Sequence, residues 1–313
     1  FSNPWRSLEK ETADSWLRRW YGDKIYEMTW QPMLIGKFGP YYQEANMAWM
    51  WARLHVRSPK LGYFVGGFQA FVDRLAAAVV ERGSDIRLNS PVNSISRNSQ
   101  GGFFLKAAGT KADYDRILVT TSPSLMTRIV DGLPQEYISR LNNLKSMGAV
   151  VMTLALKQPL LTTSHTYWLN IPAHSPDKSQ NEVPFLALVE HTNYIDSEHY
   201  GGDTIIYCGD YVSPDHPYFT MSQQELEDLF TNVLHKFNPD FRPDWVRKSW
   251  LFREPYAQPV PLINHSENVP DIRTPQTGLY LASMSQVYPW DRGTNFAVEI
   301  GRRAARMMLD DME

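Results

Sequence analysis

The sequence predicts an α/β (α+β) fold, and three observations lead to it. The end of the chain reads as a buried strand, Leu279–Ala282, followed by a loop and a helix that starts near Thr294. Residues 61–123 carry a helix after a glycine-rich turn, and short strands separated by turns follow. Residues 124–272 carry apolar strands interrupted by one helix, which predicts a mixed sheet with helices on one side.

Bulk composition excludes several classes of protein. The chain has 313 residues, enough for two interlocked domains, and its formal net charge of −3 gives no general attraction to nucleic acid. The single cysteine, Cys208, excludes an internal disulfide framework and agrees with a cytoplasmic location. No stretch approaches the ~20 apolar residues of a membrane span, so we expect at most peripheral membrane association. Nothing in the sequence sets the oligomeric state.

Local signals divide the chain into helical and mixed regions. Residues 1–60 read as an aromatic-rich helical segment, and a helix is predicted from Phe68 to Arg82, where Gly83 stops it. Within residues 124–272, Ser222 is an N-cap with Glu225 three residues on, which predicts a helix reaching Phe237. The polar segment Ala173–Glu182 is predicted to be a surface loop.

Signatures of hydrolytic and metal-dependent enzymes are missing. The histidines are scattered, and His191 with His199, the best-spaced pair, is expected in a surface loop rather than at a metal. No G-x-S-x-G elbow is present. We therefore predict no metal site, and the sequence identifies no catalytic residue.

The predicted strand–loop–helix at the end of the chain has a chemical use. Thr294 is a good N-cap, and the helix after it offers free backbone N–H groups and about half a positive charge. These groups suit phosphate or the electron-rich pyrimidine edge of a reduced flavin. A stripe of small residues would let the helix lie close to a sheet or cofactor: Ala297, Gly301, Ala304, Ala305 and Met308. On geometry alone, a plain unit closing an α/β domain is the alternative.

Two segments resemble the family of flavin amine oxidases, protoporphyrinogen oxidases and phytoene-desaturase-like enzymes. Leu281-Ala282-Ser283-Met284 and Phe296–Gly301 stand where that family has its C-terminal flavin-contacting motif. The spacing from Tyr63-x-x-Gly66-Gly67 through Gly83 to Pro91-Val92 is also similar to the family's. The resemblance implies FAD as cofactor and an FAD-binding domain, here incomplete, with an inserted mixed-sheet substrate domain.

The same resemblance implies site residues and domain boundaries. Residues 61–123 and 273–313 would form the partial FAD-binding domain, and residues 1–60 and 124–272 the substrate domain. Val92 would pair by its backbone with the flavin's adenine, and Asp291 is expected to pair with Arg292 or cap the loop. The implied flavin-contacting residues are Val92, Ser283, Met284, Asp291, Arg292, Gly293, Thr294, Asn295, Phe296 and Ala297. The implied substrate-pocket residues are Trp250, Arg253, Tyr256, Gln258, Tyr288 and Trp290.

Departures from the family pattern limit what carries over. The dinucleotide-binding β-α-β with its glycine fingerprint is absent from this sequence, Met284 replaces the expected acid, and Val151 stands in the place of the amine oxidases' lysine. We therefore expect this chain alone to bind FAD weakly or not at all and to be inactive.

The expected function of the full-length protein is flavin-dependent oxidation. Hydride would pass from a bulky apolar or aromatic small-molecule substrate to flavin N5, because the cofactor carries that chemistry and the protein positions it. Two alternatives remain: a flavin-dependent mutase of related fold, and a non-catalytic binding module that keeps the fold without the cofactor.

Overall fold

The chain begins with helices and continues as a mixture of strands and helices, as the sequence predicts. The computed structural model describes residues 4–55, 60–162 and 165–312, and the helix content of 41% with 22% strand confirms the mixed fold class. The helices are α1 Trp5–Leu8, α2 Ala13–Tyr21, α3 Asp23–Ile25, α4 Gln31–Phe38, α5 Met47–His55, α6 Gly67–Glu81, α7 Pro123–Ile129, α8 Gln135–Asn142, α9 Gln223–Thr231, α10 His265–Asn268 and α11 Thr294–Asp310. The strands are β1 Val92–Arg97, β2 Phe103–Ala107, β3 Thr110–Tyr114, β4 Ile117–Val119, β5 Ser146–Leu156, β6 Trp168–Asn170, β7 Ala187–Glu190, β8 Thr204–Val212, β9 Val246–Pro259 and β10 Leu279–Leu281.

The described residues fall into two units, each built from two stretches of chain. The first unit comes from Phe1–Trp51 and Leu144–Asn268, and the second from Ala52–Asn143 and Val269–Glu313. Residues 124–143 belong to the second unit, although the sequence placed them in the substrate domain. They stay there because Val130 bridges Ile95 of β1 and the Asp131 N–H donates to the Ile95 carbonyl at 2.8 Å. The assignment of substrate and FAD roles to the two units remains a prediction.

The first unit is organised around a five-stranded antiparallel sheet of order β6-β7-β8-β5-β9. Side chains alternate between its faces, since successive strand residues point to opposite sides. On one face, the even-numbered residues of β5 from Val150 to Leu156 pack in a buried cluster with Leu226 and Phe230 of α9. That face is therefore the unit's main apolar core.

Helix α9 confirms the predicted capping box. The Glu225 N–H donates to Ser222 Oγ at 3.2 Å, and the Ser222 N–H donates to Glu225 Oε2 at 2.7 Å. The helix ends at Thr231 rather than Phe237, because the chain tightens into a 3₁₀ turn over Leu234–Lys236.

A second core of the first unit lies among its N-terminal helices. Leu17 of α2, Leu34 and Phe38 of α4, and Met50 of α5 are buried together with Met147 of β5. The aromatic-rich helical segment predicted at the start of the chain is thus a packed core within this unit.

The second unit contains two small sheets. Strands β1, β2 and β3 form an antiparallel sheet, and β10 pairs in parallel with β4. Helix α11 packs Ile300 and Ala304 against Tyr280 and Ala282. The predicted stripe takes part in this contact only through Ala304 and Met308, since Ala297, Gly301 and Ala305 are exposed. The larger Ile300 side chain sets the packed face of the helix.

Helix α6 follows a turn that requires glycine. Gly66 and Gly67 have φ of +83° and +79°, and Gly83, with φ of +81°, ends the helix as predicted. The apolar face of α6 is exposed in the described chain, where Val72 and Leu75 are more than half exposed. The predicted strand at 85–88 is instead irregular and exposed, because no neighbouring strand pairs with it among the described residues.

Candidate functional site

The N-terminus of α11 is open to solvent. Gly293 is the N-cap and Thr294 the first helical residue, so the prediction of Thr294 as N-cap is wrong by one residue. No side chain caps this end and no acid lies in its first turn, while the Ala297 N–H donates to the Gly293 carbonyl at 3.0 Å. Gly293, Thr294 and Asn295 are exposed. The N–H groups of the first turn, at the positive end of the helix dipole, therefore face solvent as hydrogen-bond donors.

Two arginines hold the carboxylate of Asp291 in the loop before α11. The Arg292 N–H donates to Asp291 Oδ1 at 3.1 Å, and Arg292 Nη1 lies 3.5 Å from the same oxygen, as expected from the sequence. Arg53 of α5 donates from Nη1 to Asp291 Oδ2. Sequence reasoning missed Arg53, because no local pattern connects it with Asp291. The pairing compensates the negative charge beside the helix end.

Ser283 provides the clearest unmet hydrogen-bonding group of the second unit. It follows β10 and is 6% exposed. Its buried Oγ makes no hydrogen bond of good geometry, because the Gln286 N–H that faces it across the turn donates to the Ser283 carbonyl at 3.1 Å. Its own N–H is satisfied by Gln286 Oε1 at 2.6 Å, and Met284 begins the 3₁₀ turn that supplies Gln286. A buried hydroxyl without a partner costs free energy, so a polar ligand atom at this place fits the residues present.

The remaining predicted residues of the second unit lie at strand and loop positions. Val92 is the half-buried first residue of β1, opposite Ala107, and a bulge follows it. The ring of Trp290 is parallel to that of Phe296, with 6.5 Å between centroids. This stacking joins the loop to the first turn of α11. Tyr288, two residues earlier, is half-buried.

In the first unit, the structure separates predicted pocket residues that are close in sequence. Trp250 lies opposite Thr153 on the sheet face away from the main core and is 36% exposed. Arg253 lies opposite Val150 on the core face, where its Nε donates to the Tyr218 carbonyl at 2.8 Å and its Nη2 to the Met221 carbonyl. The contacts of Arg253 favour a structural role over the predicted substrate contact.

Phe252 is an exposed residue that sequence reasoning missed. It lies opposite Val151, on the same face as Trp250, and is 60% exposed. The strand alternation of β9 could have identified it, since it stands two residues after Trp250. Val151, in the place of the amine oxidases' lysine, is half-buried on this face.

Tyr256 and Gln258 follow an irregularity in β9. The register between β5 and β9 shifts between Met147 and Ala149, where the Tyr256 N–H donates to Glu254 Oε1 at 3.0 Å. Gln258 is 2% exposed, and its Nε2 donates to the Pro259 carbonyl at 2.9 Å. The placement of Gln258 is that of a buried structural amide.

Other titratable groups are accounted for locally. His191, expected in a surface loop, is 3% exposed, its Nε2 lies 2.6 Å from the Tyr200 hydroxyl, and burial lowers its pKa.

Over residues 4–55, 60–162 and 165–312, no cluster of three or more His, Cys, Asp or Glu side chains is arranged to hold a metal ion. In that same part of the chain, none of the helices combines the length and apolar character needed to cross a membrane.

Solved structures share this fold at low sequence identity. A protein assigned as a protoporphyrinogen oxidase, from Exiguobacterium sp. 255-15, superposes with a TM-score of 0.73 at 18% identity, over 96% of this chain and 67% of its own. Cyclohexylamine oxidase from Brevibacterium oxydans IH-35A gives 0.66 at 15% identity, over 99% and 70%. Reduced UDP-galactopyranose mutase gives 0.62 at 14% identity, over 83% and 58%. These likenesses show the fold.

Sequence comparison gives the family. No curated protein matches the chain significantly. The family model described as flavin containing amine oxidoreductase matches residues 19–309, nearly the whole chain. The match confirms the sequence resemblance and, for the family, the predicted FAD cofactor. The chain belongs to the flavin containing amine oxidoreductase family.

Proposed function

We propose that this chain forms part of an FAD-dependent oxidoreductase that removes hydride from a bulky apolar or aromatic small molecule. The observation that carries the proposal is the open N-terminus of α11, which follows the buried and unpartnered Ser283 hydroxyl. Bound FAD would supply the hydride-accepting chemistry, so the protein's share is binding, orientation and electrostatics.

The flavin-facing part of the proposal rests on backbone donors. The amides of Thr294, Asn295 and Phe296 would face the flavin's pyrimidine edge. A negative charge near a helix N-terminus is stabilised by typically 0.3–1 kcal/mol, and by up to about 2 kcal/mol when it is partly buried. The Ser283 hydroxyl would hydrogen-bond the ribityl-phosphate region. Val92 would meet the adenine through its backbone, as the family resemblance implies.

The substrate-facing part of the proposal rests on the second face of the five-stranded sheet. Trp250 and Phe252 are exposed there beside Val151 and Thr153. Lys248 and Glu254 are exposed on either side of them on the same face, so the surface has an apolar, aromatic centre between two charged residues. Apolar lining with few polar groups is typical of small-molecule sites. The surface fits a bulky apolar or aromatic substrate.

Val151 separates the proposed activity from ordinary amine oxidation. A valine cannot hold the water that the family's lysine holds near flavin N5. Lys37 of α4 lies over the Tyr211 ring at 4.5 Å, and Tyr211 is on the same sheet face, opposite Ala149. No cation occupies position 151 itself, so we expect simple alkyl amines to be poor substrates.

The test is anaerobic reduction of the FAD-loaded full-length protein, because this chain alone is expected to bind FAD weakly or not at all. Bulky aromatic amines or saturated cyclic compounds should bleach the flavin absorbance, and small alkyl amines should not. Phe252→Asp should weaken the response to the bulky compounds while leaving flavin binding unchanged. Lack of any spectral change on adding FAD to the full-length protein would contradict the proposal and favour a non-catalytic module.

One structural likeness favours a second function. The mutase superposes over 83% of this chain, and a mutase of this kind would use reduced flavin without net oxidation. Turnover of a nucleotide sugar only after reduction of the flavin would replace the oxidoreductase proposal with this one.

A further inference from the structure

A cavity of about 560 Å³ lies in the first unit, on the core-bearing side of the sheet. It is lined by residues of the loop 176–184, the turn His216–Tyr218 and the α9 end around Leu229–Val233. Trp250 and Phe252 are on the opposite sheet face, so the cavity is distinct from the proposed substrate surface.

The cavity wall contains a buried lysine. Lys178, 7% exposed, donates from Nζ to Asp210 Oδ1 at 2.8 Å, and this oxygen also accepts the Tyr211 N–H at 2.8 Å. The bond to Asp210 uses one of the three Nζ donors, and no other described residue accepts from them. Asp210 Oδ2 is buried without a partner. The ion pair thus leaves two Lys178 Nζ donors and the Asp210 Oδ2 acceptor without a partner among the described residues.

His216 adds a second donor to the same wall. Its Nδ1 accepts the Tyr218 N–H at 3.2 Å, which assigns the ring proton to Nε2. Burial lowers the pKa of His216, and the nearby Lys178 ammonium lowers it further. The ring is therefore a neutral Nε2–H donor at neutral pH.

The two acidic residues of the cavity lining, Asp177 and Glu182, already have partners. Asp177 accepts from the Ser179 N–H at 3.0 Å, the Ser179 hydroxyl at 2.7 Å and Gln180 Nε2 at 3.0 Å. Glu182, at the rim, pairs with Lys236 at 3.3 Å. The side chains of Leu229 and Val233, with Pro184, supply an apolar wall. Lys178 and His216 belong to the cavity lining, whereas Asp210, whose Oδ2 is the unpartnered acceptor, does not. The donors that line the cavity, beside an apolar wall, therefore favour an anionic, amphipathic ligand over a cation.

We propose that this cavity binds a small carboxylic acid with an apolar body. The carboxylate accepts from Lys178 Nζ and His216 Nε2, and the apolar body lies against Leu229 and Val233. Binding fills the unused Nζ donor positions and needs neither flavin nor the substrate surface.

Calorimetry with two probes of equal shape tests the chemistry. 4-Phenylbutyrate should bind the protein, and the neutral 4-phenylbutyramide should bind at least about tenfold more weakly. The reason is that a hydrogen bond to a charged group contributes about 1.5–3 kcal/mol. Equal affinity for the acid and the amide would overturn the proposal.

Variants locate the binding. Lys178→Met should abolish it, whereas Lys157→Met, which removes an exposed lysine of the same unit, should not. His216→Asn keeps an acceptor for the Tyr218 N–H but lacks the Nε2 donor, and should weaken binding several-fold. If Lys178→Met does not fold, Leu229→Trp fills the cavity from a partly exposed position without changing any charge. Retained 4-phenylbutyrate binding in Leu229→Trp would contradict the assignment.

Discussion

Arg53 of α5 and Asp291, which are 238 residues apart in the chain, form an ion pair in the second unit. Arg292 binds the other oxygen of the same carboxylate. Because both oxygens are engaged, Asp291 adds little uncompensated negative charge to the loop that leads into α11. The open helix end two residues later keeps its attraction for an anion.

The Arg53–Asp291 pair should stabilise the loop by a measurable coupling energy. Both side chains are partly exposed, so we expect about 1 kcal/mol of coupling in a double-mutant cycle of Arg53→Met and Asp291→Asn. The measurement is the free energy of unfolding in urea. Strictly additive single-mutant effects would mean that the pair contributes no net stability.

Replacing Ser283 by alanine should have opposite effects on the apo and flavin-bound protein. Removing a buried hydroxyl without a partner should raise the free energy of unfolding of apoprotein by about 1 kcal/mol. In the full-length protein, the same change should weaken FAD binding several-fold, because the proposed hydrogen bond is lost.

A satisfied serine of the same unit is the control for this experiment. Ser122 Oγ accepts the Leu125 N–H at 3.3 Å at the start of α7, so Ser122→Ala should lower stability by about 1 kcal/mol and leave FAD affinity unchanged. Apoprotein destabilised by Ser283→Ala would show that this hydroxyl has a partner in solution.

Features that depend on sequence neighbours were predictable from the sequence. The Ser222–Glu225 capping box, the stop at Gly83 and, to within one residue, the start of α11 each follow from residues within one helical turn. Their energies come from local backbone geometry, which the chain encodes over a few positions.

Features that depend on tertiary register were not predictable. The direction of Arg253 follows from its pairing with Val150, and the sequence carries no sign of that register. The sequence predicts Lys178 in a surface loop, because its partner Asp210 lies 32 residues later, on β8. One-residue changes of register reverse a side chain's face, so such contacts need the assembled sheet.

Stability should fall as the pH drops from about 6.5 to about 4. His265 is 5% exposed, and burial lowers its pKa from 6.5 to about 4, although Glu9 opposes the shift. The unfolded chain therefore binds a proton in this range that the folded chain does not, so acid favours unfolding. The pKa shift of His265 lowers the free energy of unfolding by at most about 3 kcal/mol over this range.

Comparison with a variant that does not titrate isolates the effect of His265. In His265→Gln, the free energy of unfolding should depend less steeply on pH between those two values than in the wild type. Parallel curves for the two proteins would show that the imidazole is protonated in the folded state or exposed to water.

A negative charge at the start of α11 should lower the reduction potential of bound flavin. Asn295 is exposed in the first turn, which has no acidic residue. Asn295→Asp places a carboxylate near the proposed pyrimidine edge, where reduction adds negative charge. A helix-end charge contributes about 0.3–2 kcal/mol, which corresponds to a potential lower by about 6–40 mV for a two-electron couple.

The same substitution should not harm the fold, because an acid near a helix N-terminus is favourable for the helix itself. The measurement is a potential titration of the FAD-loaded full-length wild type and variant in parallel. Asn143→Asp, which adds the same charge at the exposed end of α8 in the second unit, is the control and should leave the potential unchanged. If flavin stays bound and both variants keep the wild-type potential, α11 does not face the flavin, and the proposed roles of the Thr294, Asn295 and Phe296 amides are wrong.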